Sequence, residues 1–259
     1  MANPDWNPDL YLRFEREREL PVLDLLHRLA DRPVRRGADL GCGPGNSTRH
    51  LRRHLGADAR LVGVDVDAAM IESARASDVD AKWVHQSIND WAPTEPFDLI
   101  FSNAALQWVH GQDALLPRLV ECLVPGGQLA AQIPTHTHTA VHQAIHQTIA
   151  DGPWADDLQH LADTFEIREP SDYFDILTPH ADVELWVTEY IHVLDGPDDI
   201  VRWIRGSGLR PFLQALRDGQ QDDFLNAYTQ RIHAAYPQQA DGSVLFPFRR
   251  LFFIATRAG

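Results

Sequence analysis

Short apolar runs alternate with stretches of helical periodicity through the first half of the chain. The nearly continuous apolar runs lie at residues 37–42, 60–66, 81–86, 97–103 and 127–134, and the helical stretches at 46–56, 68–77 and 114–127. Such alternation is typical of a parallel sheet that is covered by helices on both faces. The pattern therefore predicts an α/β fold. The sequence VPGG at 124–127 predicts a helix stop and a tight turn into the following strand.

The second half of the chain has a different pattern. Residues 182–194 and 249–257 are strand-like, whereas 142–176 and 197–237 are helical. Because a long helical stretch joins the last two strands, we expect helical insertions that form a cap. The predicted core comprises residues 1–135, 181–196 and 246–259, and the predicted cap comprises 136–180 and 197–245.

A glycine-rich loop, ADLGCGPGNST, follows the first predicted strand. A triphosphate-binding loop would need a lysine after its last glycine, but Asn46 occupies that position. A dinucleotide loop would need a third glycine where Asn46 stands, although Asp65 follows at a suitable distance. The carboxylate of Asp39 would repel a pyrophosphate and attract an ammonium group. These residues favour a ligand with an ammonium group at the loop and a nucleoside beyond it.

Charge and composition exclude several classes of partner. The formal net charge of −14 opposes binding to nucleic acid and to anionic membranes. The chain has two cysteines, no apolar run long enough to span a membrane and no signal-like N-terminus, so we expect a cytoplasmic protein. Lys82 is the only lysine, so an anion site would be built from arginines, whose planar fork suits carboxylates.

Two motifs carry a resemblance to a known class of enzymes. DLGCGPG resembles the DxGxGxG motif of the Rossmann-like methyltransferases, and VGVDVD resembles their second motif. The resemblance implies a doubly wound, seven-stranded, mostly parallel sheet with an antiparallel last strand and S-adenosylmethionine as cofactor. It also implies that Asp39 and the glycines hold the methionine end and that Asp65 holds the ribose. The cofactor-binding residues that it implies are Asp39, Gly41, Gly43, Gly45, Asp65, Ser87, Ile88 and Asn103.

The third methyltransferase motif is imperfect in this chain. The family carries an acid at the position of Ser87, where a carboxylate would bind the adenine amino group. A serine offers only a neutral hydrogen bond, which is weaker than a charge-assisted one. We therefore expect weaker cofactor binding but not its loss.

Further segments resemble the trans-aconitate methyltransferases over nearly the whole chain. They lie at 5–18, 38–48, 98–108, 151–154, 173–177, 208–213 and 249–255. The resemblance implies transfer of a methyl group to one carboxylate of trans-aconitate, which gives a monomethyl ester. Ser87 and Arg249 depart from the family pattern, which has a proline at the second of these positions.

The implied reaction needs little from protein side chains. A carboxylate is already ionised at pH 7, so we predict no catalytic base, no nucleophile and no metal. The remaining carboxylates require cations, and the leading candidates are arginines of the cap and the last strand. The predicted substrate-binding residues are Arg210, Arg250, Arg205, Tyr11, Gln107, Trp108, Tyr173 and His136.

A group of histidines comprises His136, His138, His142 and His146, the last two at helical spacing. No glutamate lies between that pair, so we interpret them as polar residues of a helix, with His136 or His138 at the rim of the pocket. Two alternative functions stay open: methylation of another small acid or natural product, and cofactor binding without catalysis. NAD-dependent reduction is a more distant alternative. We expect a monomer with a small polycarboxylate as substrate.

Overall fold

The computed structural model describes residues 15–135, 139–161, 164–217 and 219–259. Its strands are β1 (Arg36–Leu40), β2 (Arg60–Asp65), β3 (Lys82–His85), β4 (Phe97–Asn103), β5 (Leu123–Pro134), β6 (Ala181–Leu194) and β7 (Val244–Arg257). They form one seven-stranded sheet in the order β3-β2-β1-β4-β5-β7-β6. β1 to β5 pair in parallel, and β7 is antiparallel to β5. The predicted α/β fold with its mostly parallel sheet is confirmed.

The α-helices of the described residues follow the strands of the first half and dominate the second. They are α1 (Glu15–His27), α2 (Asn46–Leu55), α3 (Ala68–Ala76), α4 (Gln112–Glu121), α5 (Ala140–Asp151), α6 (Ala155–Leu158), α7 (Pro170–Leu177), α8 (Pro197–Arg205), α9 (Arg210–Ala215) and α10 (Gln220–Ala235). Short 3-10 turns lie at Leu106–Trp108 and Gln159–Leu161. None of the described helices is both long and apolar enough to cross a membrane.

The start of β5 differs from the prediction. The helix before it ends at Glu121 and the strand begins at Leu123, so VPGG lies inside the strand. Phe97 pairs with Leu123 and Leu99 pairs with Gln128, which leaves residues 124–127 as a bulge. Gly126 adopts a left-handed φ of 75° in this bulge, and glycine can do so without strain because it lacks a Cβ. The prediction of a helix stop followed by a turn is wrong here, because the turn interrupts the β4–β5 ladder and does not precede it.

The chain divides into two compact units. The sheet unit comprises Arg18–Pro134, Phe165–Thr188 and Arg250–Gly259. Its core is built from the inner strands together with α4 and α7, and includes Leu40, Ile100, Leu116, Leu129 and Phe253, each no more than 1% exposed. This core fixes the strand ends from which the site residues project.

The helical unit comprises the described residues of Thr135–Thr164 and Glu189–Arg249, together with 15–17. Aromatic side chains fill its core: Trp154 packs against Phe224 at 5.2 Å between ring centroids, and Trp203 against Phe246 at 5.9 Å. The boundaries of the two units differ from the predicted core and cap mainly at 165–180 and 189–196. The assignment of substrate-binding work to a cap stays a prediction.

Candidate functional site

Asp39 lies in β1 and is almost fully buried, with 1% of its surface exposed. Its Oδ2 accepts hydrogen bonds from the hydroxyls of Ser47 at 2.7 Å and Thr48 at 2.6 Å, both in the first turn of α2. Its Oδ1 has no hydrogen-bond partner within the described part of the chain. Burial raises the pKa of Asp39 to about 6; the two hydroxyls oppose this rise and Asp65 adds to it. A buried carboxylate with one open oxygen is suited to a cationic ligand.

The glycines of the loop between β1 and α2 have left-handed backbone conformations: Gly41, Gly43 and Gly45. A Cβ on Gly41 would lie 2.1 Å from the Cβ of Ala105, so this position admits only glycine. A Cβ on Gly43 would meet no atom of the described residues within 4 Å. The loop therefore packs tightly against the turn after β4 and leaves space on its outer side for a ligand.

Asp65 ends β2 and supports the same loop. Its Oδ2 accepts the backbone N–H of Gly43 at 2.9 Å, and its Oδ1 accepts that of Asp67 at 2.8 Å. Each carboxylate oxygen has two lone pairs, so each can accept one further hydrogen bond. Asp65 can thus hold the loop and still bind a pair of hydroxyls.

The segment after β3 contains Ser87 and Ile88. The Ser87 hydroxyl accepts the N–H of Asn89 at 3.2 Å, and Ile88 is buried at 7% exposure. Arg118 of α4 donates to the carbonyls of Ile88 and Asn89, both at 3.0 Å, and to that of Trp91. Asp90 and Trp91 donate their backbone N–H groups to the carbonyls of Ser87 at 3.1 Å and Ile88 at 3.3 Å. The segment is therefore a turn closed by its own hydrogen bonds and tied to α4 through its carbonyls.

The turn after β4 contains a strained residue. Ala104 has a φ of 53°, which costs a residue with a Cβ roughly 1–2 kcal/mol. Its N–H donates to the carbonyl of Gln132 at 2.9 Å, and its carbonyl accepts Nε2–H of Gln107 at 2.8 Å. Asn103 directly precedes it, and the Oδ1 of Asn103 is buried without a partner among the described residues. The neighbouring strand and the 3-10 turn hold this conformation in place.

Strand register places three of the predicted residues, Asp39, Asn103 and Arg250, on one face of the sheet. Asp39 pairs with Phe101, and Asn103 lies two residues further along the same strand and pairs with Gln132. Residues that are directly opposed or two apart project from the same face. Gln132 is opposite Phe252, which is two residues from Arg250, so Arg250 shares this face.

Arg250 is only 6% exposed, and its Nη1 donates to the Oε1 of Gln132 at 3.2 Å. Gln132 is fully buried, and its Nε2 has no hydrogen-bond partner in the described residues. A buried guanidinium next to an amide gives the sheet face a cationic, donor-rich end. That combination is suited to a carboxylate.

Gln107 and Trp108 belong to the 3-10 turn after β4. Gln107 is 4% exposed, and its Nε2 is engaged by Ala104, whose carbonyl can only accept. The ring of Trp108 lies 4.5 Å from that of Phe165 and the residue is partly exposed. The turn is thus rigid on its inner side and offers one aromatic ring to solvent.

Glu166 joins this turn to α4. Its carboxylate accepts the N–H groups of Gly111 at 2.8 Å and Gln112 at 3.3 Å, and it pairs with Arg168 at 2.7 Å. Burial opposes ionisation, but the hydrogen bonds from Arg168, Gly111 and Gln112 hold the pKa of Glu166 below its usual value. Its N–H also donates to the carbonyl of Gln107 at 2.8 Å. The segment at 165–168 therefore braces the candidate site.

Tyr173 of α7 is fully buried in the core of the sheet unit and stacks on Phe253 at 5.7 Å. Burial raises its pKa to about 12. Its predicted role toward the substrate stays a prediction.

The other predicted substrate residues lie in the helical unit or outside the described residues. Arg205 is exposed at the end of α8, and Arg210 is half-buried at the start of α9. Tyr11 and His136 lie outside the described residues. The roles of all four stay predictions.

His142 and His146 lie on α5 as predicted, with their Nε2 atoms 3.0 Å apart. One ring nitrogen must donate and the other accept at that distance. Within the described residues, no group of three or more histidine, cysteine, aspartate and glutamate side chains is arranged to hold a metal ion.

Four residues of the candidate site were not predicted from the sequence: Ser47, Thr48, Gln132 and Glu166. For Gln132 a signal was present, because the predicted strand GQLAAQIP carries a glutamine within its apolar run LAAQIP. Ser47 and Thr48 directly follow the glycine loop, so their hydroxyls were placed to reach Asp39. Glu166 reaches the site from a segment far away in sequence, and no local pattern marks it.

Comparisons with known proteins indicate the class of protein. A methyltransferase domain family matches residues 38–127. The chain is 44% identical over 256 residues to the trans-aconitate 2-methyltransferase of Acidovorax ebreus, covering 98% of this chain and 99% of the relative.

Solved structures resemble the fold at low identity. The YcgJ protein of Bacillus subtilis superimposes with a TM-score of 0.59 at 13% identity, covering 92% of this chain and 98% of its own. Phosphoethanolamine N-methyltransferase 2 of Haemonchus contortus, in complex with S-adenosylhomocysteine, gives a TM-score of 0.56 at 16% identity, covering 92% and 52%.

A Rossmann-like sheet whose first glycine-rich loop follows a buried acid, together with the matching domain family, defines an S-adenosylmethionine-dependent methyltransferase. Within that class the similarity to curated relatives extends over the full length of the chain. At 44% identity over 98% of its residues, the chain belongs to the trans-aconitate 2-methyltransferase family.

Proposed function

We propose that the protein transfers a methyl group from S-adenosylmethionine to a carboxylate of trans-aconitate and so forms a monomethyl ester. The observation that carries the proposal is the 44% identity, over 98% of the chain, to a relative named for this activity. The buried Arg250 on the same sheet face as Asp39 supports it, because a polycarboxylate requires fixed cations.

The residues of the β1 loop fit the cofactor. The open Oδ1 of Asp39 offers a buried acceptor for the α-ammonium group, and the free space at Gly43 leaves room for the methionine end. Asp65 retains acceptor capacity for both ribose hydroxyls. The residues proposed to hold the cofactor are Asp39, Gly41, Gly43, Gly45, Asp65, Ser87, Ile88 and Asn103.

When bound, S-adenosylmethionine supplies an electrophilic methyl group on its sulfonium. The acceptor carboxylate is ionised at neutral pH, so no side chain of the protein has to remove a proton. What the protein contributes is orientation of the acceptor and exclusion of water from it. Arg250 is proposed to hold a carboxylate of the acceptor. Arg210, Arg205, Gln107, Trp108, Tyr173, Tyr11 and His136 are the further residues proposed for the substrate.

Two other functions give different results in the same assay. A methyltransferase for another small acid or natural product would bind the cofactor and leave trans-aconitate unchanged. A cofactor-binding protein without catalysis would transfer no methyl group to any acceptor.

Methyl-labelled S-adenosylmethionine and trans-aconitate should be incubated with the purified protein, and the product analysed by mass spectrometry. We expect a gain of one labelled methyl group that base hydrolysis removes, and none with citrate. Cofactor binding without ester formation would overturn the proposed substrate.

The role of Arg210 can be tested by Arg210→Ala. We expect a raised KM for trans-aconitate with the affinity for S-adenosylhomocysteine unchanged. Arg217→Ala is a matched control, because Arg217 is exposed and pairs with Asp157 at 2.9 Å within the helical unit. An unchanged KM in Arg210→Ala would remove Arg210 from the site.

A further inference from the structure

Two glutamines of β5 are buried, and their side-chain amides are used differently. Gln128 is 7% exposed; its Oε1 accepts the N–H of Ala30 at 3.1 Å and its Nε2 donates to the hydroxyl of Thr256 at 3.3 Å. Gln132 is 0% exposed and uses only its Oε1, which accepts from Arg250. The Nε2 of Gln132 has no hydrogen-bond partner anywhere in the described residues. A buried amide donor without a partner is costly, so a ligand that completes it is the natural explanation.

Arg250 determines which way the Gln132 amide faces. A guanidinium carries only donors, so the side-chain oxygen is the atom that can face it. Rotating the amide by a half-turn would bring its NH₂ group against the Nη1 of Arg250, with two donors facing each other. The Nε2 of Gln132 is therefore directed away from Arg250 and remains available to another acceptor.

The position of Gln132 in the sheet fits an acceptor site. It lies two residues before the end of β5 and pairs with Asn103, the last residue of β4. Ligands of parallel α/β sheets bind at the carboxyl ends of the strands. Asp39, the residue proposed for the cofactor, projects from the same face as Gln132.

We propose that Gln132 is a substrate-binding and specificity-determining residue whose Nε2 donates a hydrogen bond to a carboxylate held by Arg250. This inference rests on the proposed function and adds a neutral donor to its arginines. The guanidinium and the amide NH₂ together present donors only, which suits an ionised carboxylate and disfavours an ester, an amine or an alkyl group. Sites built in this way reject analogues that cannot complete their buried hydrogen bonds.

Gln132→Met tests the inference, because methionine keeps the length of the side chain and removes both polar atoms. We expect KM for trans-aconitate to rise about 10- to 100-fold, kcat to change less than about threefold, and the Kd for S-adenosylhomocysteine to stay the same. Gln132→Glu should raise KM further, because it replaces the donor with a negative charge beside the substrate carboxylate.

Gln128→Met is the matched control on the same strand, because both amide atoms of Gln128 already have protein partners. We expect this variant to keep the KM of the parent protein. An unchanged KM in Gln132→Met would overturn the inference. Equal losses of acceptor and S-adenosylhomocysteine binding in Gln132→Met would also overturn it, because they would indicate a purely structural role.

Failure of the proposed function would be seen separately, as absence of ester formation by the unaltered protein. In that case, binding of trans-aconitate to the protein saturated with S-adenosylhomocysteine, measured by calorimetry, decides the inference. Weaker binding by Gln132→Met than by the unaltered protein supports it. Equal binding, or no binding to either protein, overturns it.

Discussion

Asp39 is a buried carboxylate that the described residues satisfy only in part. It is buried beneath the loop, and two hydroxyls bind only one of its carboxylate oxygens. Ionisation of such a group opposes folding when no cation is present, because burial penalises the charged form. A cationic ligand could bind the oxygen that has no hydrogen-bond partner in the described residues, and so stabilise the ionised form. The proposed binding of the cofactor would therefore offset the folding stability that the ligand-free protein loses when Asp39 ionises.

Asp39→Asn should stabilise the ligand-free protein at pH 8. The pKa of Asp39 is raised from 3.8 to about 6, so its ionisation costs folding stability as pH rises through this range. A difference of this size corresponds to on the order of 3 kcal/mol, which the neutral amide avoids. Thermal denaturation should show a higher Tm at pH 8 and a gain about half as large at pH 5, because the cost of ionisation builds up between the unfolded pKa of 3.8 and the folded pKa of about 6.

The same variant should lose affinity for S-adenosylhomocysteine in calorimetry, because an amide offers no charge to the ammonium group. Asp58→Asn serves as the control, because Asp58 is exposed and lies in the loop between α2 and β2. A stability gain of equal size at both pH values would contradict the assignment to ionisation.

Element ends, more than element interiors, shape the candidate site. The turn after β4 is held by Gln107 and by the carbonyl of Gln132. The helix α4 begins at Gln112, and its N-cap residue Gly111 offers no side chain to cap it. Glu166 supplies that cap from a distant segment. A carboxylate at a helix N-terminus satisfies free N–H groups and complements the helix dipole. The hydrogen bonds of Gln107 and Gln132 and the cap from Glu166 together hold the turn that follows Asn103 and contains Gln107.

Ala104→Gly should stabilise the protein by about 1 kcal/mol, because glycine adopts the φ of 53° without the steric cost of a Cβ. Urea denaturation is the measurement. Ala114→Gly, at an exposed position inside α4, should instead destabilise by about 0.5–1 kcal/mol. If both variants lost stability equally, the turn would not be strained.

Glu166→Gln should destabilise the protein at pH 7 by about 1–2 kcal/mol, because charge-assisted hydrogen bonds to Gly111, Gln112 and Arg168 become neutral. The pKa of Glu166 is lowered in the folded state, so its contribution is present above its unfolded pKa of about 4.5 and is lost as pH falls through the folded value. The difference between variant and parent should therefore fade below about pH 4. Glu72→Gln, at an exposed position in α3, should show no such pH dependence.

At the scale of the whole molecule, the chain combines a sheet unit and a helical unit, each with its own core. The residues proposed for the cofactor all lie in the sheet unit, within Arg18–Pro134. Ligand binding to the folded state suppresses opening of the segments that it holds. Cofactor binding should therefore suppress local opening mainly in the sheet unit.

Hydrogen exchange with mass spectrometry can locate this effect. Saturation with S-adenosylhomocysteine should slow exchange in peptides that cover 39–48 and 63–67, with α10 as the internal reference. Asp39→Asn at the same ligand concentration should show much less protection. Protection of α10 equal to that of the loop would contradict a cofactor site confined to the sheet unit.

Local patterns made most of the fold predictable. The strands were recognisable because a strand buried on both faces is a continuous apolar run, and the glycine loop because its left-handed turns admit few other residues. The prediction failed at β5, where VPGG is a turn by its residues but a bulge in the structure. Only pairing with β4 distinguishes these two outcomes, and pairing is not a local property.

The sequence by itself determined the α/β class and the order of its elements, because these depend on short-range periodicity. It also marked Asp39 and Asp65 as candidate cofactor residues, because they belong to recognisable motifs. Tertiary structure alone decided that Asp39 keeps one oxygen open, that Glu166 caps α4, and that Arg250 orients Gln132. Each of these depends on atoms brought together from distant parts of the chain. Burial and strand register set which of their hydrogen bonds can form, and neither is written in any single segment.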